Sequence, residues 1–562
     1  MTSILKIIIL LIYPSVLLLS FFLFYRKYKN IIKNYYLNII INSIVISLIV
    51  CFGLLVFFHF EDTIYAYDYA GHWIRALNLR QMFFDNPANI LPTVYNSMNY
   101  ANYSCLPALF ELPLMLIKTS YKWFSLVNYV LFLLPTIAVL QVLYFKYFNK
   151  NKYLPILLTI IIYPLYLTLF YGKVDCSGLL FITLAYSLVV IPDFDEIDMI
   201  DNLAINLFAF LAIFLRRWYL YSIVCLYISY FIKWLFYKNK KASDLLKMLS
   251  SGIVLLVVAL IFFVPFILNS LNNNFEETYA FYNNDGKLLS FINNVSPLIC
   301  ALSLIGCIKL FKNNKALLFA NVVSIIVPCL LIWRIQSFEY HHYYIFLFNV
   351  IVLFVCGLSV IENYNKIINI VLIALLTGQP FIIFSGLKNT MPLFTDIRKS
   401  PEVLEDKNEL ISLSEYVRSI EPDNNTSAFL SAGSYGIITD DLLRNALLPD
   451  LNAPVIDSAV FDIRDGFPRD MQYIKYVITV DPIVYTSQEY QHMFDVISNG
   501  IKNNKEISSI YNPIHSTKLY DKYTVTVYER VGEYTDDIKE YFYKEMLKYY
   551  PDKEEFYSYI ID

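Results

Sequence analysis

Apolar runs of membrane-spanning length recur through the first 390 residues, broken by short polar links. "ILKIIILLIYPSVLLLSFFLFY" (4–25) and "SSGIVLLVVALIFFVPFIL" (250–268) are examples. Each holds about 20 residues, the length at which a helix crosses the ~30 Å hydrocarbon core of a bilayer. The pattern predicts about twelve spanning helices, near 4–24, 38–58, 122–145, 153–171, 174–191, 203–217, 218–236, 249–268, 289–310, 316–333, 343–361 and 367–386. "CLPALFELPLMLIK" (105–118) holds two prolines and Glu111, which suits a shallow or re-entrant segment better than a span. Near residue 390 the long apolar runs stop and charge rises. Beyond it, "SAFLSAGSYGII", "YIKYVITVD" and "YTVTVYER" read as strands, with "SLSEYVRSI" and "YQHMFDVISNGIK" as helices between them. The expected architecture is an α-helical polytopic membrane domain over 1–388, with a first outer loop at 59–121, then an extracytoplasmic α/β domain over 389–562.

Lysine and arginine orient the helices. "YRKYKNIIKN", "KYFNKNK", "KWLFYKNKKASDLLK", "KLFKNNK" and Lys366 all fall on one side if the spans alternate, and that side is expected to be cytoplasmic. The acidic link "PDFDEIDMID" lands there too. The outer side receives the 59–121 loop, "YGKVD", "FLRRWY", "NNNFEETYAFYNND", "RIQSFEYHH" and everything after 387.

Composition narrows the class. Hydrophobic residues make up 57% of 562 positions and charged residues 16%, against roughly 45–50% and about 25% in soluble domains, so an ordinary soluble enzyme is excluded. A net charge of −3 without a basic tract gives no footing for nucleic acid. The eight cysteines lie mostly in apolar runs with no CxxC pair and read as small hydrophobes; none follows Cys356, so the terminal domain depends on no disulfide. The first apolar run is too long for a signal-peptide core and lacks a small-residue cleavage site, so it is expected to be retained. The Lys, Asn, Ile and Tyr bias points to an AT-rich bacterial genome, and so to the plasma membrane of a bacterium.

Unusual polar residues gather on the outer side. In "FHFEDTIYAYDYAGHWIRALNLRQ", from Phe58, the residues Glu61, Asp62, Asp68 and His72 crowd directly behind a span, where a spacer would have no use for them. On a helix, Asp68, His72, Arg75 and Leu79 share one face, with Trp73 expected at headgroup level. Arg75, Arg80 and Asp85 read as charges facing water. "LYLTLFYGKVDCSGLLFITLAYSLV" sets Lys173 and Asp175 between two spans. An aspartate there also suits the positive end of a helix, and Lys173 suits a snorkelling anchor. "AIFLRRWYLYS" puts Arg216 and Arg217 inside an apolar run, where a charge normally faces a cavity or a partner. "WRIQSFEYHHYYIF" supplies Arg334, Glu339, His341 and His342, a spacing unlike the helical two-histidine metal pattern.

An early span followed by a long outer loop with "FEDTIY" and "YDYAGHW", then by the proline-bearing "NYANYSCLPALFELP", resembles the GT-C glycosyltransferases. This group includes protein O-mannosyltransferases and lipid A aminoarabinose transferases, which draw a sugar from a polyisoprenyl phosphate. The resemblance implies an inverting sugar transfer to a hydroxyl of a glycan, lipid or protein at the outer membrane face. It places the catalytic base at Asp68, with Glu61 or Asp62 as the competing acidic-pair form. It implies that Arg216 or Arg217, Arg334, Lys173, His341 and His342 bind the donor phosphate, and that His72, Trp73 and Tyr100 contact acceptor or sugar. Asp175 would orient the acceptor or help hold a divalent cation, Mg2+ or Mn2+. In the implied single displacement the base takes the acceptor proton, while cations stabilise charge on the leaving phosphate. A retaining glycosidase would need a close second carboxylate as nucleophile.

Three other classes compete. A surface-polysaccharide polymerase or ligase would rely on arginines in a large outer loop. A transporter or flippase would place ionisable residues near the middle of its spans, where the predicted helices hold few. A scaffold would lack clustered outer carboxylates and arginines.

Overall fold

The computed structural model describes residues 2–147, 165–272, 287–362 except 336, 337 and 339, residue 371, 400–420, and 428–561 except 435, 459 and 460. The chain forms two compact units. One comprises Met1–His59 with His72–Pro401, the other Phe60–Gly71 with Glu402–Asp562. The boundary expected near 389 falls outside the described residues, as do most of the "NNNFEETYAFYNND" loop and Glu339.

The first unit is helical. Among the described residues, five helices are long and apolar enough to cross a membrane: Ser3–Phe60, Tyr121–Lys146, Tyr219–Phe236, Ala242–Phe262 and Lys315–Arg334. This corrects the expectation of about twelve spans, and the reasons are local. Asp175–Val190, Met199–Leu215 and Leu347–Ile361 are apolar but only 10–17 residues long, as is Leu106–Met115 in the prolyl segment. The run expected at 289–310 breaks at Ser296, whose φ of +98° precedes Pro297; a residue before proline is disfavoured in helical conformation. The run at 249–268 breaks at Phe263, just before Val264 and Pro265. The spans expected at 153–171 and 367–386 lie largely outside the described residues.

The first two expected spans are two helical arms within Thr2–Phe60, joined at a kink where Tyr28 leaves helical geometry (φ −108°, ψ 20°). Both arms pack on the Tyr121–Lys146 span: Tyr13 meets Phe132 edge-on, and Tyr129 donates to Ser47 Oγ at 2.9 Å. At the turn between the arms, the Tyr28 hydroxyl donates to the Ser187 carbonyl at 2.6 Å. Arg26 pairs with Asp198 (2.7 Å) and Asp201 (2.5 Å), and Lys27 with Asp201 (2.8 Å). The basic 25–34 link therefore meets the acidic 192–201 link, the pair that strict alternation assigns to one side. The Arg26 guanidinium holds the Asp198 carboxyl down to about 2.

Helices Pro297–Asn313 and Leu347–Glu362 approach backbone to backbone. A Cβ added at Gly306 would lie 2.0 Å from the Leu353 carbonyl oxygen, and one at Gly357 would lie 1.9 Å from that of Leu302. Where no hydrophobic drive separates helix from lipid, such close packing supplies the attraction between helices.

The second unit contains a mixed five-stranded sheet ordered β2-β1-β3-β5-β4, with β1 Ala428–Ser431, β2 Ile456–Asp457, β3 Tyr476–Asp481, β4 Tyr511–Leu519 and β5 Tyr523–Arg530. β1 runs parallel to β2 and β3, and β5 antiparallel to β3 and β4. Alternation divides the core. Leu430, Ile478 and Val480 face helix Lys407–Ile420, with Ile64 and Ala66 in the same cluster. Phe429 and Val477 face helices His492–Asn503 and Asp536–Tyr549. Buried Asp462 ties this layer together by accepting from the His492 and Met493 N–H groups and the Tyr550 hydroxyl.

Gly357→Ala should lower the stability of the first unit by about 1–3 kcal/mol, the usual cost of overpacking. Gly53→Ala, where an added Cβ meets nothing within 4 Å, should leave it unchanged or slightly raised. Thermal unfolding in detergent, followed by tryptophan fluorescence, distinguishes the two.

Candidate functional site

A buried polar cluster forms in the first unit where helix Asp175–Val190 begins. The chain reaches it through a turn in which Gly172 takes a positive φ of +59°, and Lys173 N–H bonds back to the Thr168 carbonyl at 3.1 Å. Asp175 then opens the helix. Gly178, one turn on, leaves room for an aromatic ring: a Cβ there would lie 2.2 Å from Tyr219 Cε2. Tyr219 uses that space to donate its hydroxyl to the Asp175 carbonyl at 2.8 Å.

Arg216 arrives from the end of helix Met199–Leu215, where the backbone turns extended (φ −152°, ψ 117°). Its Nε donates to Asp175 Oδ1 at 2.8 Å, with both side chains nearly sealed from solvent at 6% and 3% exposure. Asp175 Oδ2 is buried without a hydrogen-bond partner. Tyr103 forms an aromatic floor: the guanidinium of Arg216 lies 5.2 Å and that of Arg75 5.0 Å from its ring centre, and His72 meets it edge-on at 5.4 Å. Such contacts stabilise a cation by roughly 0.5–2 kcal/mol. On the other flank, Lys173 Nζ lies 3.1 Å from His341 Nδ1. The His341 ring is 4.1 Å from that of His342, which Trp218 meets at 4.9 Å.

The three histidines share one electrostatic environment. Burial, followed by Arg216, Arg75 and Lys173, pushes the His72 imidazole well below its usual value. Burial, His342, Lys173 and Arg216 do the same to His341. Burial, Lys173 and Arg216 bring His342 to about 3. At neutral pH all three are neutral, which leaves His341 Nδ1 as acceptor for Lys173. The cluster thus links Arg216 to Asp175, Lys173 to His341, and Arg75 to the Tyr103 ring that it shares with Arg216 and His72. Arginine and lysine are the side chains that pair with anions carrying several oxygens, phosphate among them.

Six residues singled out in sequence come together here: His72, Lys173, Asp175, Arg216, His341 and His342. Arg217, Trp73, Tyr100 and Arg334 have other surroundings. Arg217 donates through Nη2 to the Ala101 carbonyl and sits 5.2 Å from the Phe266 ring, so the adjacent arginines have separate partners. Trp73 is no headgroup anchor: it is buried, its indole N–H bonded to the Thr119 carbonyl at 2.8 Å and its ring against Tyr121. Tyr100 is 65% exposed, and Arg334 is exposed in the last turn of helix Lys315–Ile335.

Glu61, Asp62 and Asp68 belong to the second unit. Asp62 exchanges backbone hydrogen bonds with Glu402 and Leu404, and its carboxylate pairs with Lys407 at 2.5 Å. Glu61 accepts from the Tyr65 hydroxyl at 2.8 Å. Asp68 opens helix Asp68–Asp85 directly after Tyr67, whose φ is +52° and whose N–H bonds Asp441 Oδ2 at 3.0 Å.

Sequence reasoning passed over Tyr103 and Trp218 and assigned Arg75 to water. No local signal separates Tyr103 from the other 47 of the chain's 48 tyrosines. At Asp175, where a divalent cation is one expectation, the Arg216 guanidinium already holds Oδ1. Among the described residues no group of three His, Cys, Asp or Glu side chains could hold a metal ion.

The lowered histidine values set a pH dependence. The unfolded chain takes up protons at about pH 6.5, whereas the folded cluster does so only at much lower pH. The folded state therefore binds fewer protons in that window, and stability falls as pH drops below about 6.5. His342→Gln should flatten that decline, as measured by melting temperature across the window.

Comparison with protein-family models, curated proteins and solved structures finds no match to this chain.

Proposed function

We propose that this protein is a membrane glycosyltransferase of the GT-C type. It moves a sugar from a polyisoprenyl-phosphate donor to an acceptor hydroxyl on a cell-surface glycan, lipid or protein. The observation that carries the reading is the polar cluster itself: buried Arg216 and Lys173, with half-buried Arg75 over the shared Tyr103 ring, near an Asp175 oxygen that has no hydrogen-bond partner. Arginine and lysine placed among apolar helices normally face a cavity, a partner or a bound anion, and both pair with phosphate oxygens. A donor phosphate is such an anion, and an apolar tail lets it reach the site from the bilayer.

In this mechanism Arg216 and Lys173 stabilise the charge that grows on the departing phosphate, in a dry setting where fixed cations act strongly. Arg75 and the Tyr103 floor keep Arg216 oriented before substrate arrives. Asp175 Oδ2 accepts a hydrogen bond from a substrate hydroxyl while Oδ1 stays on Arg216. Asp68 retains the base role that the sequence resemblance implies, with Glu61 and Asp62 as its competitors. The displacement is single and inverts the anomeric centre.

The test is transfer of radiolabelled sugar from a panel of polyisoprenyl-phosphate donors, using membranes that contain the full chain. Arg216→Gln and Asp175→Asn should each lower kcat by about 10²–10³, as loss of a charge-stabilising group does. Arg217→Gln should stay within a few-fold. Asp68→Asn should abolish transfer, and Glu61→Gln with Asp62→Asn should not; the opposite result moves the base to the acidic pair. A folded wild type that transfers no sugar from any donor overturns the reading, and polymerase and transport assays then follow.

A further inference from the structure

We propose that the other end of helix Asp175–Val190 carries a second site, for the phosphate headgroup of an anionic membrane lipid. This helix has 16 residues, so its two ends lie about 24 Å apart at 1.5 Å per residue. The inference is independent of the glycosyltransferase reading.

A cavity of 310 Å³ opens at that end, lined by Lys146, Lys233, Lys309, Asn313, Asn314 and Asp193, among others. Three ammonium groups therefore share the lining with one carboxylate, and Asp193 is exposed. Part of this charge has a structural use. Lys233 donates to the carbonyls of Val189 (2.8 Å), Val190 (3.3 Å) and Pro192, saturating its three donors at the negative end of the helix. Capping does not account for the other two lysines. Lys146 gives one hydrogen bond, to the Ile191 carbonyl at 2.6 Å, and Lys309 gives one, to Ser359 Oγ. An ammonium carries three donors, so each keeps capacity directed at no acceptor among the described residues. The Asn313 and Asn314 side chains add neutral amides to the same wall.

The position of the cavity argues for a lipid. Lys146 is the last residue of the Tyr121–Lys146 span, and Leu317 of the lining lies two residues into the Lys315–Arg334 span. The pocket thus sits where spans end, at headgroup depth, between helices on the lysine-rich side of the unit. Basic pockets of this kind hold anionic headgroups. The volume is near the lower limit for ligand pockets, enough for a phosphate with its glycerol, while the acyl chains remain in the bilayer.

The experiment uses the full-length protein, delipidated in detergent and titrated with phosphatidylglycerol, phosphatidylcholine or inorganic phosphate, with bound species counted by native mass spectrometry. One phosphatidylglycerol should be retained in preference to phosphatidylcholine. Lys309→Gln should weaken its retention about tenfold, equivalent to about 1.4 kcal/mol, while Lys309→Arg, which keeps the charge, should preserve it. Equal retention of the two lipids overturns the proposal, as does unchanged binding in Lys309→Gln. Inorganic phosphate held as tightly as the lipid overturns the lipid assignment and gives the cavity to a free anion.

Discussion

The Asp175–Arg216 ion pair constrains the rest of the first unit. Two opposite charges withdrawn from water between apolar helices each lose several kcal/mol of solvation, and removing either partner strands the other at a cost of about 3–5 kcal/mol. The surrounding structure fixes the pair on both sides. Tyr219 anchors the Asp175 backbone through space that only a glycine at 178 leaves open. Tyr103 lies beneath the Arg216 guanidinium. Arg216 reaches the aspartate because its backbone has already left the helix. One helix start, one helix end and one loop are thereby locked together, and Lys173, His341 and His342 are carried into the same pocket.

Much of this was legible in the chain. Charges inside apolar runs are expensive, so "GKVD", "LRRW" and "EYHH" stand out in the sequence. The acidic and basic links that alternation put on one side do meet, through Arg26 and Asp198. Strands at "YIKYVITVD" and "YTVTVYER" follow from period-two alternation and β-branched content, and β3 and β5 lie there. β4 is not legible in the sequence because "YNPIHSTKL" has a proline and a bulge at Pro513/His515, which break the alternation. Apolar content alone does not show where helices break: among the described residues, Ser296–Pro297 and Phe263 stop helices inside continuous apolar text.

Pairing was harder to read than placement. Arg216 and Arg217 are neighbours of identical chemistry, and only the extended backbone at 216 sends one to Asp175 and leaves the other with Ala101. The acidic residues after the first helix are conspicuous in sequence, yet Asp62 spends its backbone on a bridge to Val403 and its charge on Lys407. Conspicuous charge identified a region; long-range contacts, which sequence spacing does not encode, decided which members share a site.

The central claim is that the cluster around Asp175 and Arg216 receives a polyisoprenyl phosphate. The most direct measurement is photocrosslinking of a benzophenone-bearing polyisoprenyl phosphate to the full chain, followed by peptide mapping. The account predicts labelling of the segments that hold Tyr103, Lys173, Arg216 and His342, competed away by unlabelled polyisoprenyl phosphate and lost in Arg216→Gln. Labelling confined to other segments, or unchanged in that variant, would contradict it.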